Sequence, residues 1–151
     1  NVLLVTLILV LCLAAISSKQ WWKRVFMVSK KYGVLLVSHV AEIAEGLAKL
    51  ISEVAKDVTV KSAGGTPEGG IGTSFDRIEE TLSSFEEETI LAFYDLGSAK
   101  MNLELAIETS DKTVTLYDTA LIESAYTAAA LLQAEAPIEA IEEQLNTLKI
   151  K

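Results

Sequence analysis

The sequence predicts an α/β domain, a mostly parallel four-stranded sheet of order 2-1-3-4 with helices on both faces in a flavodoxin-like, three-layer arrangement. Short apolar, β-branched runs recur at Tyr32–Val37, Val58–Ala63, Thr89–Tyr94 and Thr113–Tyr117. Each is followed by a segment of helical period, and that alternation implies parallel strands joined by right-handed crossovers. The chain has 151 residues, half of them hydrophobic, which is enough for one domain with a real core.

Taken in order, Tyr32 to Val37 has the continuous apolar character of a central strand covered on both faces. From Val40 the period changes: Val40, Ile43, Ala44, Leu47, Leu50, Ile51 and Val54 fall on one helical face, with Glu42, Glu45, Lys49 and Glu53 off it. The second run, with Lys56 and Lys61 around it, suits a sheet edge. A glycine-rich loop, Gly64 to Ser74, leads into a helix marked by Phe75, Ile78, Leu82 and Phe85, which Thr73 or Ser74 can cap. The third strand turns through Asp95-Leu-Gly-Ser98 into a helix carrying Met101, Leu105 and Ala106. The fourth precedes an alanine-rich helix, about Ala120 to Leu132, and Pro137 opens a last one with Ile138, Ile141, Leu145 and Leu148 on one side. The acid run Glu86 to Glu88 fits a solvated turn.

Residues 1–26 are a separate matter. Val2 to Ile16 is apolar but for Thr6 and Cys12, shorter than a spanning helix needs, and followed by Lys19, Trp21, Trp22, Lys23 and Arg24. Non-native upstream residues before a natural start at Met27, or a truncated membrane anchor, are the readings to weigh. A signal peptide fits poorly because the basic residues follow the apolar run. Either of the first two leaves residues 27–151 as a cytoplasmic domain.

Charge and composition exclude several functions. The first 26 residues hold three basic residues and no acid, leaving ten basic residues against all twenty-one acidic ones, a net −11, for the rest. Such a domain repels phosphate backbones, so no nucleic acid partner is expected. One cysteine and one histidine exclude a disulfide framework and argue against a zinc site. No metal or cofactor is expected.

The chemistry centres on His39, the sole histidine, placed with Ser38 at a strand's carboxyl end and before a helix amino terminus, where backbone N–H groups favour an anion. A lone histidine is more often a satisfied polar residue without a role; its placement is what singles this one out. Neutral imidazole can take a phosphoryl group on one nitrogen if the other donates to an orienting acceptor. With order 2-1-3-4, Asp95 ends strand three across the crevice from His39 and is a candidate acceptor. Capping the helix that begins near Gly97 is the competing explanation. The Gly64–Ser74 loop is neither a nucleotide P-loop nor a dinucleotide fingerprint. Its five glycines allow N–H groups to converge on an anion, or simply make a flexible turn.

Gly33-Val-Leu-Leu-Val-Ser-His39, Gly64-Gly-Thr66…Gly69-Gly-Ile-Gly-Thr-Ser74 and Tyr94-Asp-Leu-Gly-Ser-Ala-Lys-Met-Asn102 together resemble the phosphotransfer subunit of bacterial dihydroxyacetone kinase, a relative of the mannose-type IIA components of the phosphotransferase system. The resemblance runs from about Tyr32 to the last helices. It implies that His39 carries the phosphoryl group, taken from the histidine phosphocarrier protein HPr and passed to ADP held by a partner kinase subunit. Asp95 would orient His39. Ser38, Gly65, Thr66, Gly70, Gly72, Thr73, Ser74, Gly97 and Ser98 would border the phosphohistidine. A homodimer is implied by the mannose-type relatives. Two other functions stay open: a mannose-type IIA component donating to a IIB protein, against which the glycine loop and the Gly97-to-Asn102 motif speak, and a non-catalytic anion-binding module.

Overall fold

The structure, a computed structural model, describes residues 32–150; the extension expected at 1–26 lies outside them. The strands are β1 (Tyr32–Ser38), β2 (Thr59–Gly64), β3 (Thr89–Tyr94) and β4 (Thr113–Tyr117). The helices are α1 (Ala41–Ser52), α2 (Phe75–Ser83), α3 (Gly97–Thr109), α4 (Leu121–Gln133) and α5 (Ile138–Asn146). All strand pairs are parallel and the order is β2-β1-β3-β4. β1 and β3, the two apolar runs, are the central pair, and β2, with Lys61, is an edge.

Alternate residues of the central strands face opposite layers. Val34, Leu36, Leu91 and Phe93 pack against α1, α4 and α5, while Leu35, Val37, Ile90, Ala92 and Tyr94 pack against α2 and α3. The small residues of α4, Ala125, Ala128 and Ala129, let that helix lie close to the sheet. No helix of the described residues is long and apolar enough to cross a membrane.

Three expectations need correction. In α1 only Ala44, Leu47 and Ile51 are buried, while Ile43 and Leu50 are exposed, Val54 is exposed beyond the helix end, and Val40 precedes the helix in an extended conformation. A stripe that wide exceeds what one helix can lay on a sheet. In α3 the inward line is Ala99, Leu103 and Ala106, which turns Met101 and Leu105 to solvent. Small Ala99 and Ala106 set the phase, because they permit the closest approach to the strands. Within the acid run, Glu87 is buried at 8% exposure and accepts from the Thr59 hydroxyl, whereas Glu86 and Glu88 are exposed. Periodicity sees a charge run; it does not see that one of the three falls between strand starts.

Candidate functional site

The crevice lies between β1 and β3, whose register pairs Val37 with Tyr94. From β1 the chain leaves through α1 on one face, and from β3 through α3 on the other. Crossovers therefore diverge here, and the residues just past each strand, His39 and Asp95, face each other across the opening. Gly64 closes the neighbouring edge: a Cβ there would stand 2.7 Å from the Ala41 Cα, so β2 can end against the first turn of α1 only with glycine.

Asp95 accepts four hydrogen bonds. The Ser38 hydroxyl and the His39 N–H donate to Oδ2 at 2.9 and 2.8 Å, and the Leu96 N–H to Oδ1 at 2.6 Å. His39 Nδ1 lies 2.8 Å from Oδ1. Burial pushes the Asp95 carboxyl up, but hydrogen bonds from the His39 N–H and ring, the Leu96 N–H and the Ser38 hydroxyl outweigh it, and the net shift is downward. An ionised carboxylate only accepts, so Nδ1 carries a proton, and in the neutral ring Nε2 then presents its lone pair. The side chains of His39 and Asp95 are 17% and 16% exposed, open enough to react yet shielded enough to hold one geometry. Asp95 is not the cap of α3: the N-cap is Leu96, with no side-chain cap bond. Its carboxylate is turned to the histidine instead.

On the other side of the ring, Ser98 Oγ stands 2.6 Å from Nε2, and with Nδ1 protonated the hydroxyl donates. Ser98 belongs to the first turn of α3, whose leading N–H groups have no acceptor within the helix and carry its positive end. A Cβ on Gly97 would meet nothing within 4 Å, so the space over this helix end is open. An anion growing on Nε2 would meet this turn first.

The glycine loop is ordered by its own bonds. Thr66 N–H donates to the Gly70 carbonyl, and Gly70 N–H returns to Thr66 Oγ1. Gly65 N–H donates to the Ser38 carbonyl and Gly72 N–H to the His39 carbonyl, at 3.2 and 2.8 Å, which hangs the loop on both sides of the strand end. The N–H groups of Gly65, Gly69, Gly70 and Gly72 are thus engaged within the fold and do not converge on an anion. Gly65 adopts φ 70°, a conformation that favours glycine. Ser74 caps α2 by accepting from the Arg77 N–H, and Thr73 Oγ1 accepts from Asn102 Nδ2 at 2.8 Å. Ser38, His39, Asp95, Gly97 and Ser98 are therefore brought together, while Thr66, Thr73 and Ser74 brace the loop beside them.

Two bracing residues had no assigned role from sequence. Arg77 Nη1 donates to the Thr66 carbonyl at 2.9 Å, and Asn102 donates to both the carbonyl and hydroxyl of Thr73. Asn102 falls one turn after Ser98 on α3 and closes the Tyr94-to-Asn102 motif, the two signals that could have linked it to the site. Among the described residues no group of three His, Cys, Asp or Glu could hold a metal ion.

A family model described as "PTS system fructose IIA component" matches residues 33–142. The phosphotransferase subunit DhaM of the PTS-dependent dihydroxyacetone kinase of Lactococcus lactis is 52% identical over 120 residues, covering 80% of this chain and 98% of its own. The chain belongs to this family of phosphotransferase-system IIA components and DhaM subunits. The phosphoryl donor subunit DhaM of Listeria innocua PEP-dependent dihydroxyacetone kinase 1 is similar at 44% identity, covering 82% of this chain and 99% of its own. Among solved structures, a protein of unknown function matches with a TM-score of 0.71 and 29% identity, over 80% of this chain and 97% of that one. A sigma-54 interaction domain protein from Enterococcus faecalis shares the fold, with a TM-score of 0.59 at 13% identity, over 78% of this chain and 89% of that one. The family match spans both walls of the crevice, so His39 and Asp95 of this DhaM-type domain lie inside it.

Proposed function

We propose that this DhaM-type subunit relays a phosphoryl group on His39 Nε2, taking it from HPr and giving it to ADP on a dihydroxyacetone kinase subunit. One observation carries the reading: His39 Nδ1 is held by the Asp95 carboxylate, leaving Nε2 as the reactive atom at the open end of α3. In the first step the Nε2 lone pair forms a bond to phosphorus as the donor's phosphorus–nitrogen bond breaks and its electron pair returns to the donor imidazole. The His39 ring gains positive charge, which Asp95 stabilises through the Nδ1 proton, as an acid does behind a catalytic histidine. Ser98 gives up its bond to Nε2 and can donate to a phosphoryl oxygen. In the second step a β-phosphate oxygen of ADP attacks, the Nε2–phosphorus bond breaks, and ATP forms on the partner. Such transfer asks the protein mainly for positioning and charge stabilisation.

Protein partners suit the rim. Ile71 in the glycine loop, Leu96 after Asp95 and Met101 after the first turn of α3 are 81%, 61% and 68% exposed, and large apolar side chains around a polar centre favour docking over a small free substrate. The dihydroxyacetone kinase relatives favour a kinase subunit over a IIB protein as acceptor. Outward Ile43 and Leu50 of α1, with Ile122 and Tyr126 of α4 in the same layer, support a homodimer, which sedimentation would test. Cytoplasmic residence follows from such partners, with a membrane tie only if residues 1–26 are an anchor. Residues 27–151 form the transferring unit, and a chain begun at Met27 should transfer as fast as the full one. The functional test is incubation with phosphoenolpyruvate and the general phosphotransferase proteins, then addition of either the ADP-loaded kinase subunit or a IIB protein. Label leaving only to ADP supports the proposal; label leaving only to the IIB histidine favours the mannose-type alternative, and no labelling favours an anion-binding module.

A further inference from the structure

One ionic cluster outside the reacting pair has no part in the relay described above. Asp118 follows β4 and, by continuation of the β3–β4 register, stands beside Tyr94, the last residue of β3. The Tyr94 hydroxyl donates to Asp118 Oδ1 at 2.6 Å, and Lys100 Nζ donates to both carboxylate oxygens at 2.9 and 3.0 Å. Tyr94 is buried; Lys100 and Asp118 are about one-third exposed. Lys100 also reaches Glu104 one turn along α3, at 3.9 Å.

What makes the cluster more than a surface ion pair is where its members sit in the chain. Tyr94 immediately precedes Asp95, which holds Nδ1, and Lys100 follows Ser98, which contacts Nε2, by two residues. The segment between Tyr94 and Lys100 contains both contacts to the histidine ring, and Asp118 grips both ends of it. We infer that Asp118 is a positioning residue for phosphoryl transfer: by clamping Lys100 of α3 to Tyr94 of β3, it fixes the helix start at the height that keeps Ser98 on Nε2.

The clamp is chemically suited to this. The carboxylate accepts from a buried phenol on one oxygen and from an ammonium on both, so a slide or rotation of α3 about its axis strains charge-assisted bonds. The tyrosine and lysine hydrogen bonds draw the Asp118 carboxyl below its ordinary range despite burial acting the other way, so it stays charged wherever the transfer site works. Asn102, bonded to Thr73, anchors the same helix to the glycine loop, so α3 is held at two points around Ser98. Geometry of this kind matters because a displacement of about 1 Å at a reacting centre costs on the order of 10²-fold.

This inference rests on the phosphohistidine reading, and the experiment separates the two. Asp118→Ala and Lys100→Met are compared with wild type in stopped-flow phosphorylation by the phosphorylated donor, with the limiting rate resolved from the donor concentration at half-saturation. The limiting rate should fall about tenfold in each, within the range a small misplacement produces. Half-saturation should be unchanged, and the double variant should be no slower than either single one, because both break the same clamp. Asp118→Asn, which keeps one acceptor oxygen but loses the charge and the second acceptor, should recover part of the rate. Ile141→Val in the opposite layer, as a destabilised control, should transfer at the wild-type rate. The ¹⁵N shift of His39 Nε2, read without any transfer, should move in Asp118→Ala toward its value in Ser98→Ala. A wild-type limiting rate with an unmoved Nε2 signal, a loss confined to half-saturation, or an equal slowing in Ile141→Val overturns the positioning role. Failure of the wild type itself to take label overturns the relay, and the Nε2 shift then judges the clamp alone.

Discussion

The sheet has two shielded carboxylates at opposite ends, and they are satisfied to very different degrees. At the carboxyl edge Asp95 accepts from a hydroxyl, two backbone N–H groups and an imidazole. At the amino edge Glu87 is more deeply buried, yet it accepts only from Thr59, and its Oε2 has no hydrogen-bond partner among the described residues. The difference shows that burial alone does not make a carboxylate useful. Donors hold Asp95 ionised and aimed, and aim is what a histidine that must present one nitrogen requires. Glu87 has no comparable neighbour to orient and stands as a local tie between β2 and the start of β3.

Substitution should break this comparison cleanly. Asp95→Ala should slow phosphorylation of His39 by about 10–10³-fold, less than the roughly 10⁴ lost with the orienting acid of a serine protease, because a loose phosphoryl transition state asks less of the nucleophile. Its counterpart Glu87→Gln should leave the rate at the wild-type value; a shared loss would erase the distinction drawn between the two acids. Ser98→Ala should reduce the rate by up to about tenfold, the worth of one hydrogen bond, as rapid-quench measurement would show.

Asp95 also makes stability depend on pH. The folded-state pKa of Asp95 is lowered, so its stabilisation is fully present above its unfolded value, about 3.9, and is lost as pH falls through the lowered native value. Thermal melts of wild type and Asp95→Asn should therefore differ at neutral pH and converge in acid. Divergence on acidification would contradict the donor count around Asp95.

The smallest effect belongs to neither site. Just past helix α4 and its cap Ala134, Glu135 stands at φ 59°, its N–H donating to the Leu132 carbonyl and the next N–H to that of Leu131. This left-handed terminal position favours glycine, and Glu135→Gly should stabilise the fold by about 0.5–1 kcal/mol, seen as a rise of a few degrees in melting temperature with transfer unchanged.

Much of this was legible in the sequence. The strand order and crevice follow from β-branched runs alternating with helical ones, and that order alone set His39 against Asp95. What stayed hidden depends on contacts between segments far apart in the chain. The phase of α3 is set by how closely Ala99 and Ala106 approach the sheet, so Met101 and Leu105 read as core and emerge exposed. Glycines in a row signal freedom, but only the folded strand ends show that the His39 and Ser38 carbonyls occupy the loop's N–H groups. Asp118 and Lys100, eighteen residues apart, carry no local mark of their pairing.

The central claim is that His39 Nε2 is the atom that carries the phosphoryl group. It is tested most directly by labelling wild-type and His39→Gln protein from phosphoenolpyruvate through the general phosphotransferase proteins and mapping the adduct. The account predicts one acid-labile, alkali-stable label on His39 of the wild type, bonded to Nε2, and none on the variant. Label persisting in His39→Gln, an acid-stable adduct, or a bond to Nδ1 would contradict it.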